Sequence, residues 1–301
     1  RQGFSEFRGY TSGNVDYFSH IDQTGVYDWW NGEEHVQEPG YTTQLITRHA
    51  VRFIEQNRDR PFCLYLPHEA PHYPYQGPTD SAERTVGGDF EIRGSRSDVA
   101  RAYREMVQEL DRSVGQVIAT LERLDLDRRT FVLFFSDNGA TRSGHNGPLR
   151  GTKGSNWEGG HRVPAIAWWP SRIEGGTQCA DTVLTMDVMP TILALAGADL
   201  PPEHFLDGVD LIPAMLEHRP VAERTLFWNQ GDRSAVRQGP WKLLVNAKGQ
   251  GTPVGLYNLE EDVAEAHNIA DEHPARVALM FQALEDWQQD VASGATKQPL
   301  E

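Results

Sequence analysis

No apolar run in the sequence approaches the roughly 18 residues that a membrane helix needs. The strongest apolar stretches, Pro61–Pro67, Phe131–Phe135 and Val163–Trp169, are strand-sized. Cysteine is scarce: Cys63 and Cys179 stand alone in 301 residues, without metal-ligand spacing. These absences exclude a membrane span, a coiled coil and a disulfide framework. Cys63 sits inside an apolar run and is expected to be a buried small hydrophobe. Nothing supports a Cys63–Cys179 bridge. Positive charge is also short, 28 Lys and Arg against 43 Asp and Glu for a formal charge of −15. Such a surface repels nucleic acid and anionic membranes, so neither is an expected partner. An initiator methionine is lacking too. All five methionines are internal, and the chain opens Arg1-Gln2-Gly3-Phe4. The expectation is a processed chain, or one beginning within a longer protein.

What is present reads as an α/β pattern. Leu45, Ile46, Ala50, Phe53 and Ile54 recur at helical spacing over Tyr41–Asn57, with Thr42 and Thr43 as candidate caps. Pro61–Pro67 follows as a short buried strand. Asp98–Leu124 is the longest helix, its stripe running from Tyr103 and Met106 through Val107, Leu110 and Val114 to Leu124, with Ser97 or Asp98 to cap it. The near-continuous apolar runs Thr130–Ser136 and Val163–Trp169 suit strands covered on both faces. Met186–Ala196 is a short helix capped by Thr185 and stopped by Gly197. The fold class expected over residues 1–218 is therefore α/β, a layered, mostly parallel sheet flanked by helices. Beyond Pro201-Pro202 strands follow closely at Thr225–Gln230, Ser234–Arg237, Trp241–Val245 and Gly255–Leu259, and a last helix spans Pro274–Val291. Residues 219–301 are thus expected to form a small antiparallel sheet with one packed helix.

The chemistry gathers after the apolar runs, where open parallel sheets place their ligands. Ser136-Asp137-Asn138-Gly139 sets a carboxylate beside a carboxamide, hard oxygen donors for Ca²⁺ or Mg²⁺. Asp-Asn-Gly is equally an ordinary turn signal. The next loop carries glycines at 144, 147, 151, 154, 159 and 160. It also holds Arg142, Arg150, Lys153 and Arg162 against Glu158 alone, with His145 and His161 besides. A Gly-rich basic loop in an acidic protein reads as a sulfate or phosphate pocket, with Lys153 flanked by small residues. It lacks the nucleotide P-loop arrangement. Pro67-His68-Glu69-Ala70-Pro71-His72-Tyr73-Pro74 places two histidines on a proline-stiffened loop, candidates for an acid or hydrogen-bond donor. Trp29 and Trp30, with Asn14, Asp16, His20 and Asp22, could line a sugar subsite.

The run Phe134–Pro164, the His-x-x-Pro-His-x-Pro loop and the later Trp241-Lys242-Leu243-Leu244 with Leu256-Tyr257-Asn258-Leu259 resemble a sulfatase of the arylsulfatase type, in the alkaline-phosphatase-like superfamily. The resemblance covers nearly the whole chain. It implies that Asp137 and Asn138 form half of a divalent-metal site, usually calcium, with Mg²⁺ the alternative. Lys153 matches the lysine that contacts sulfate, and His72 the histidine that binds sulfate and protonates the leaving oxygen. His68, His145 and Arg150 are further candidates for substrate contact. Glu158 is expected to bond backbone amides. The partner implied is a sulfate ester, either a small aryl sulfate or a sulfated sugar, and the location implied is an exported one. The nucleophile of such enzymes is a formylglycine made from Cys or Ser in a Cys/Ser-x-Pro-x-Arg motif. Neither Cys63 nor Cys179 has proline two places on, and Pro170-Ser171-Arg172 is preceded by Trp168 two positions before. This chain is therefore expected to be a sulfatase portion without the nucleophile, inactive alone and poorly soluble because apolar strand edges stand open. The alternatives are a non-catalytic remnant or sulfate-binding protein, and a related phosphatase or phosphonate hydrolase.

Overall fold

The computed structural model describes residues 3–199, 205–246 and 254–294. It divides into two compact units, one of residues 1–132 and 169–171, the other of residues 133–168 and 172–301. That division departs from the expected boundary at 218/219, because the Gly-rich loop belongs with the C-terminal sheet.

In the first unit, β1 (Arg8–Gly9), β2 (Trp30–Asn31) and β3 (Glu34–His35) form a short antiparallel sheet that the sequence reading missed. Strands of two residues carry no periodicity to read. Two helices follow, α1 (Thr42–Asn57) and α2 (Val99–Arg123). Leu45, Ile46, Ala50 and Ile54 turn inward on α1 as the spacing requires. The capping assignments differ. Tyr41 is the residue before α1, and Asp98 precedes α2 with its carboxylate on Arg96 rather than on the helix. Polar groups take inward positions on α2 that an apolar stripe cannot announce. Glu109 accepts from Gln44 at 2.8 Å, and Ser113 meets Thr47 at 2.6 Å, while Val107 stands exposed. Tyr17, Tyr41, Ala70, Tyr75, Ala102 and Met106 pack as the main apolar cluster of this unit.

Pro61–Pro67 is a correction. The segment joins no sheet among the described residues, although its exposure alternates residue by residue as a strand's would. The alternation turns Cys63 and Tyr65 outward, so Cys63 is exposed, not buried, and both cysteines are free thiols.

The second unit holds β4 (Val132–Phe135) from Leu133 on, α3 (Glu158–His161) and β5 (Ala165–Trp168), then α4 (Val188–Ala196) and α5 (Ile212–Glu217). β4 and β5 pair as a two-stranded sheet, so the layered parallel sheet is not what the described residues display. Phe134 and Ile166 remain exposed. α4 begins after Asp187, not at Met186. Asp187 accepts from the backbone of Leu184 and Val209 and pairs with Arg224, and these contacts outweigh its burial and hold its carboxyl below the usual range. Gly197 ends α4 in the left-handed region at φ 62°, as expected of a C-terminal glycine.

The C-terminal sheet matches its expectation closely. β6 (Thr225–Gln230), β7 (Arg233–Gln238), β8 (Trp241–Asn246) and β9 (Val254–Asn258) form a four-stranded antiparallel meander, with α6 (Pro274–Gly294) against it. Register sorts the two faces. Val236, Leu243 and Leu256 lie in one row and pack on Met280 and Leu284 of α6, one turn apart. Phe227 stacks on Trp287 with ring centroids 4.9 Å apart. The alternate residues Arg237, Lys242 and Tyr257 form a row on the opposite face.

Candidate active site

The loop from Asp137 to His161 is built on backbone crossings. Gly139 donates to the Gly160 carbonyl at 3.0 Å, and Gly159 donates to that of Arg150 at 2.7 Å. Asn146 ties the loop across its middle, accepting from Ala140 at 2.8 Å and donating to the carbonyls of Ala140 and Gly151. Lys153 N donates to the Ala140 carbonyl at 3.1 Å. The exposed Lys153 is thereby tied by backbone to the turn that carries the exposed Asp137 and half-buried Asn138.

Underneath lies a buried ion cluster. Lys242, fully buried between Trp241 and Leu243 on β8, faces three polar neighbours, hydrogen-bonding Glu158 and His161 and ion-pairing Glu265. Glu158 Oε1 is at 2.8 Å, Glu265 Oε1 at 2.9 Å and His161 Nε2 at 3.3 Å. Arg237 and Arg162 stand 3.5 and 3.4 Å from the other oxygen of Glu158. Burial disfavours the Glu158 charge, but Lys242 outweighs it and holds the carboxyl below its ordinary range. Burial pushes Glu265 up. Burial, then the Lys242 charge, drive His161 down to about 4, so its imidazole is neutral. Glu265 also accepts the Glu158 backbone N–H at 2.7 Å, and its carbonyl accepts Arg150 at 2.7 Å. Glu158 therefore anchors the loop through side-chain cations rather than through backbone amides. Arg150, its guanidinium 3.8 Å over the Trp157 ring, is part of the same anchor. Lys242, Arg237 and Glu265 are the residues the sequence reading missed. The available signal was one lysine inside Trp241–Val245, where every neighbour is apolar.

In the first unit, the His72 loop is held to the chain near Tyr17. Tyr17 OH donates to the His72 carbonyl at 3.1 Å, its N–H to Gln76 Oε1 at 2.9 Å, and Gln76 donates to Asp16 at 3.0 Å. His72 Nδ1 lies 2.9 Å from the Tyr73 carbonyl. A carbonyl only accepts, so Nδ1 carries a proton and any acid chemistry runs through Nε2. His68 is different. Its Nε2 lies 3.0 Å from Ser113 Oγ between the helices, and burial drives it down to about 4. A chain from His68 Nε2–H to Ser113, Ser113 to Thr47, and Thr47 to the Thr43 carbonyl satisfies every hydroxyl. This is a core histidine, which corrects its place among substrate contacts.

The expected sugar subsite near Trp29 and Trp30 is likewise corrected. Trp29, Asn14, Asp16 and His20 are all buried, and the Trp29 indole donates to Glu38 at 3.0 Å. Asp16 is a structural hub, taking N–H bonds from Phe18, Ser19, Glu83 and Arg84. Half-buried Trp30 bonds Asp28 and meets the His35 ring edge-on. His145 is exposed, and its Nδ1 accepts from Gly147 N–H at 2.9 Å.

His68 makes stability acid-sensitive. Unfolded, a histidine protonates near pH 6.5, whereas folded His68 resists until about pH 4. Between those values the unfolded chain binds the extra proton, so stability falls as pH falls. Urea titrations should show a loss on the order of 2–3 kcal/mol from pH 6.5 to 4 that His68→Gln removes. Parallel pH curves for the two proteins would contradict the assignment.

As to a metal, the donors Asp137 and Asn138 are of the right hard type, but two oxygens fall short of the roughly six to eight that Ca²⁺ takes. Among the described residues no group of three or more His, Cys, Asp or Glu side chains could hold an ion. No helix among them is long and apolar enough to cross a membrane.

Solved sulfatases of the alkaline-phosphatase-like fold share this chain's architecture. The sulfatase family model matches residues 1–198, and the chain belongs to the sulfatase family. It is 37% identical over 264 residues to the steryl-sulfatase of Rattus norvegicus, covering 81% of this chain and 43% of that protein. It is 38% identical over 209 residues to the N-acetylgalactosamine-6-sulfatase of Canis lupus familiaris, covering 66% and 37%. The chain thus spans less than half the length of these curated relatives. A crystal structure of Ps i-CgsB in complex with k-i-k-neocarrahexaose superposes with a TM-score of 0.81 at 28% identity, over 95% of this chain and 66% of that one.

Proposed function

We propose that the protein to which this chain belongs hydrolyses sulfate esters, with a sulfated carbohydrate as substrate class. The observation that carries this reading is Lys153. It is an exposed cation on a loop locked by backbone bonds to the Asp137-Asn138 turn, in a family of sulfatases. The carbohydrate reading is supported by the oligosaccharide bound to Ps i-CgsB and by the D-glucosamine-2-N,6-O-disulfate bound to BT4656.

In this reading Lys153 neutralises charge on the sulfuryl oxygens. His72, its Nδ1–H held by the Tyr73 carbonyl, gives a proton from Nε2 to the departing oxygen. Asp137 and Asn138 contribute two oxygen ligands to a divalent ion, Ca²⁺ or Mg²⁺, which would stabilise negative charge on the sulfuryl group. Two ligands do not hold such an ion alone, and no step is assigned to it. The nucleophile lies outside any motif in this chain: neither Cys63 nor Cys179 stands in Cys/Ser-x-Pro-x-Arg. An exported location goes with the same reading.

Steady-state assays of the full-length protein on paired sulfate and phosphate esters test it. Lys153→Ala should lower kcat/KM for sulfate esters by about 10²–10³-fold, the effect of removing one oxyanion donor. Faster turnover of phosphate esters would make the protein a phosphatase. Full sulfatase activity in Lys153→Ala would remove the lysine from the site.

A further inference from the structure

Two buried groups of the first unit fasten the loop that carries His72. Glu69, three residues before it, accepts the Val15 N–H on Oε1 at 3.0 Å. Tyr17 donates its phenol O–H to the His72 carbonyl at 3.1 Å. We propose that Glu69 and Tyr17 are positioning residues that clamp the His72 loop on the Val15–Tyr17 segment and so aim His72 Nε2 at the departing oxygen. The aim at an ester oxygen rests on the function proposed above; the clamp on His72 does not.

The first support is where the clamp grips. The Glu69 carbonyl accepts the His72 backbone N–H at 2.8 Å, which closes the turn between them. The Glu69 carboxyl then holds residue 15 and the His72 carbonyl holds residue 17, so both ends of that turn are tied to one short segment. The second support is how firmly the phenol is held. Its ring stacks on Tyr41 with centroids 5.1 Å apart. The Tyr17 N–H bonds Gln76 Oε1 at 2.9 Å, and Tyr41 donates to the Gln76 carbonyl at 2.8 Å. Burial pushes the Tyr17 phenol up, so it stays protonated and remains a donor.

The third support is the state of Glu69. Its Oε2 is buried and has no hydrogen-bond partner among the described residues. The guanidinium of nearby Arg84 bonds the carbonyls of Ile21 and Ile92 and the Asn14 side chain instead. Burial outweighs the Val15 bond and the Arg84 charge, and Asp16 adds to the rise, so the carboxyl stands well above its ordinary range. A neutral acid keeps an acceptor for Val15 without placing an unpaired charge in the loop. Beyond the clamp, His72 Nδ1–H is held by the Tyr73 carbonyl at 2.9 Å, so a shift of the His72 main chain carries Nε2 with it. Misplacing a reacting group by about 1 Å can cost about 10²-fold in rate. That loss falls on the step His72 serves. A nitrophenolate departs as a stable anion, whereas a sugar alkoxide requires a proton.

Two measurements on the full-length protein test this. The first compares steady-state hydrolysis of galactose 6-sulfate and 4-nitrophenyl sulfate. Tyr17→Phe and Glu69→Ala should each lower kcat for the sugar ester about tenfold with KM unchanged, and leave the nitrophenyl ester within about twofold. Glu69→Gln, which keeps a neutral acceptor for Val15, should restore what Glu69→Ala loses. The second reads His72 directly in long-range proton–nitrogen NMR spectra of histidine-labelled protein, its signals assigned by their loss in His72→Ala. Wild type and Glu69→Gln should show Nδ1 protonated. Tyr17→Phe and Glu69→Ala should move both ring nitrogens toward tautomer-averaged shifts. Thermal melts identify any variant that fails to fold, and Glu69→Leu then replaces Glu69→Ala. Unchanged His72 spectra in folded Tyr17→Phe and Glu69→Ala overturn the clamp. So do equal effects on the two esters in those variants when His72→Ala spares the nitrophenyl ester. If His72→Ala loses both esters equally, the acid role of His72 fails, and the spectra decide the clamp. If only phosphate esters turn over, the sulfatase reading fails, and the corresponding phosphate pair tests the clamp.

Discussion

Replacing Lys242 with methionine is expected to destabilise the protein by about 3–5 kcal/mol at pH 7, as breaking one partner of a buried ion pair does. Methionine keeps the volume of the lysine stem, so the loss is electrostatic rather than a cavity. It leaves Glu158 with Arg237 and Arg162 at 3.5 and 3.4 Å, and Glu265 with no cation within bonding distance among the contacts described. The pH dependence separates this from simple damage to the strand. In wild type the Glu158 carboxyl is held low, so its contribution is present above its unfolded value and is lost as pH falls. In Lys242→Met both carboxyls sit buried and poorly paired, their folded values rise, and the penalty relaxes as pH falls and they protonate. The stability gap between the two proteins should therefore narrow from pH 7 toward pH 4. Urea melts at both pH values measure it. A gap below about 1 kcal/mol at pH 7, or one that does not change with pH, would mean that Lys242 does not anchor the loop.

How much of this was legible in the sequence depended on whether a residue's partners were near in the chain. α1, α2, α6 and all four strands of the C-terminal sheet carried their own periodicity and turn residues; β6 kept its bounds and the others moved by at most three residues. Lys153 was legible as a cation among glycines, since the glycines that shape the loop surround it. Pro61–Pro67 had the composition of a strand, but a strand also needs a ladder partner, which its own residues cannot specify. Trp29 and His68 had the residue types of binding groups. Trp29 is covered by Leu45 and Ile46 of α1, outside its own loop, and His68 is bonded by Ser113 of α2, 45 residues away. Glu158 shows the limit best: its charge was plain, but Lys242 lies 84 residues on.

Gly139, Gly159 and Gly160 of the loop should be among the least replaceable residues in the second unit. A Cβ on Gly139 would overlap the carbonyl oxygen of Gly159, and one on Gly160 would overlap that of Ser155 with its hydroxyl at 2.7 Å. On Gly159 it would stand 2.6 Å from the Arg150 carbonyl oxygen. These are backbone atoms of crossing strands of the same loop, so no side-chain rotation relieves the overlap. The Gly139–Gly160 and Gly159–Arg150 hydrogen bonds must open, and with them the register between Lys153 and the Asp137-Asn138 turn. Gly139→Ala and Gly160→Ala are each expected to cost upwards of about 3 kcal/mol, at the severe end of overpacking. Gly115 supplies the contrast. It lies exposed in the middle of α2 with nothing within 4 Å of an added Cβ, so Gly115→Ala should stabilise by about 0.5–1 kcal/mol through helix propensity alone. Thermal and urea melts of the three variants give the comparison. Should Gly160→Ala melt like Gly115→Ala, the close backbone crossing beneath Lys153 would be wrong, and with it the claim that the loop is rigidly held where a sulfate oxygen would meet it.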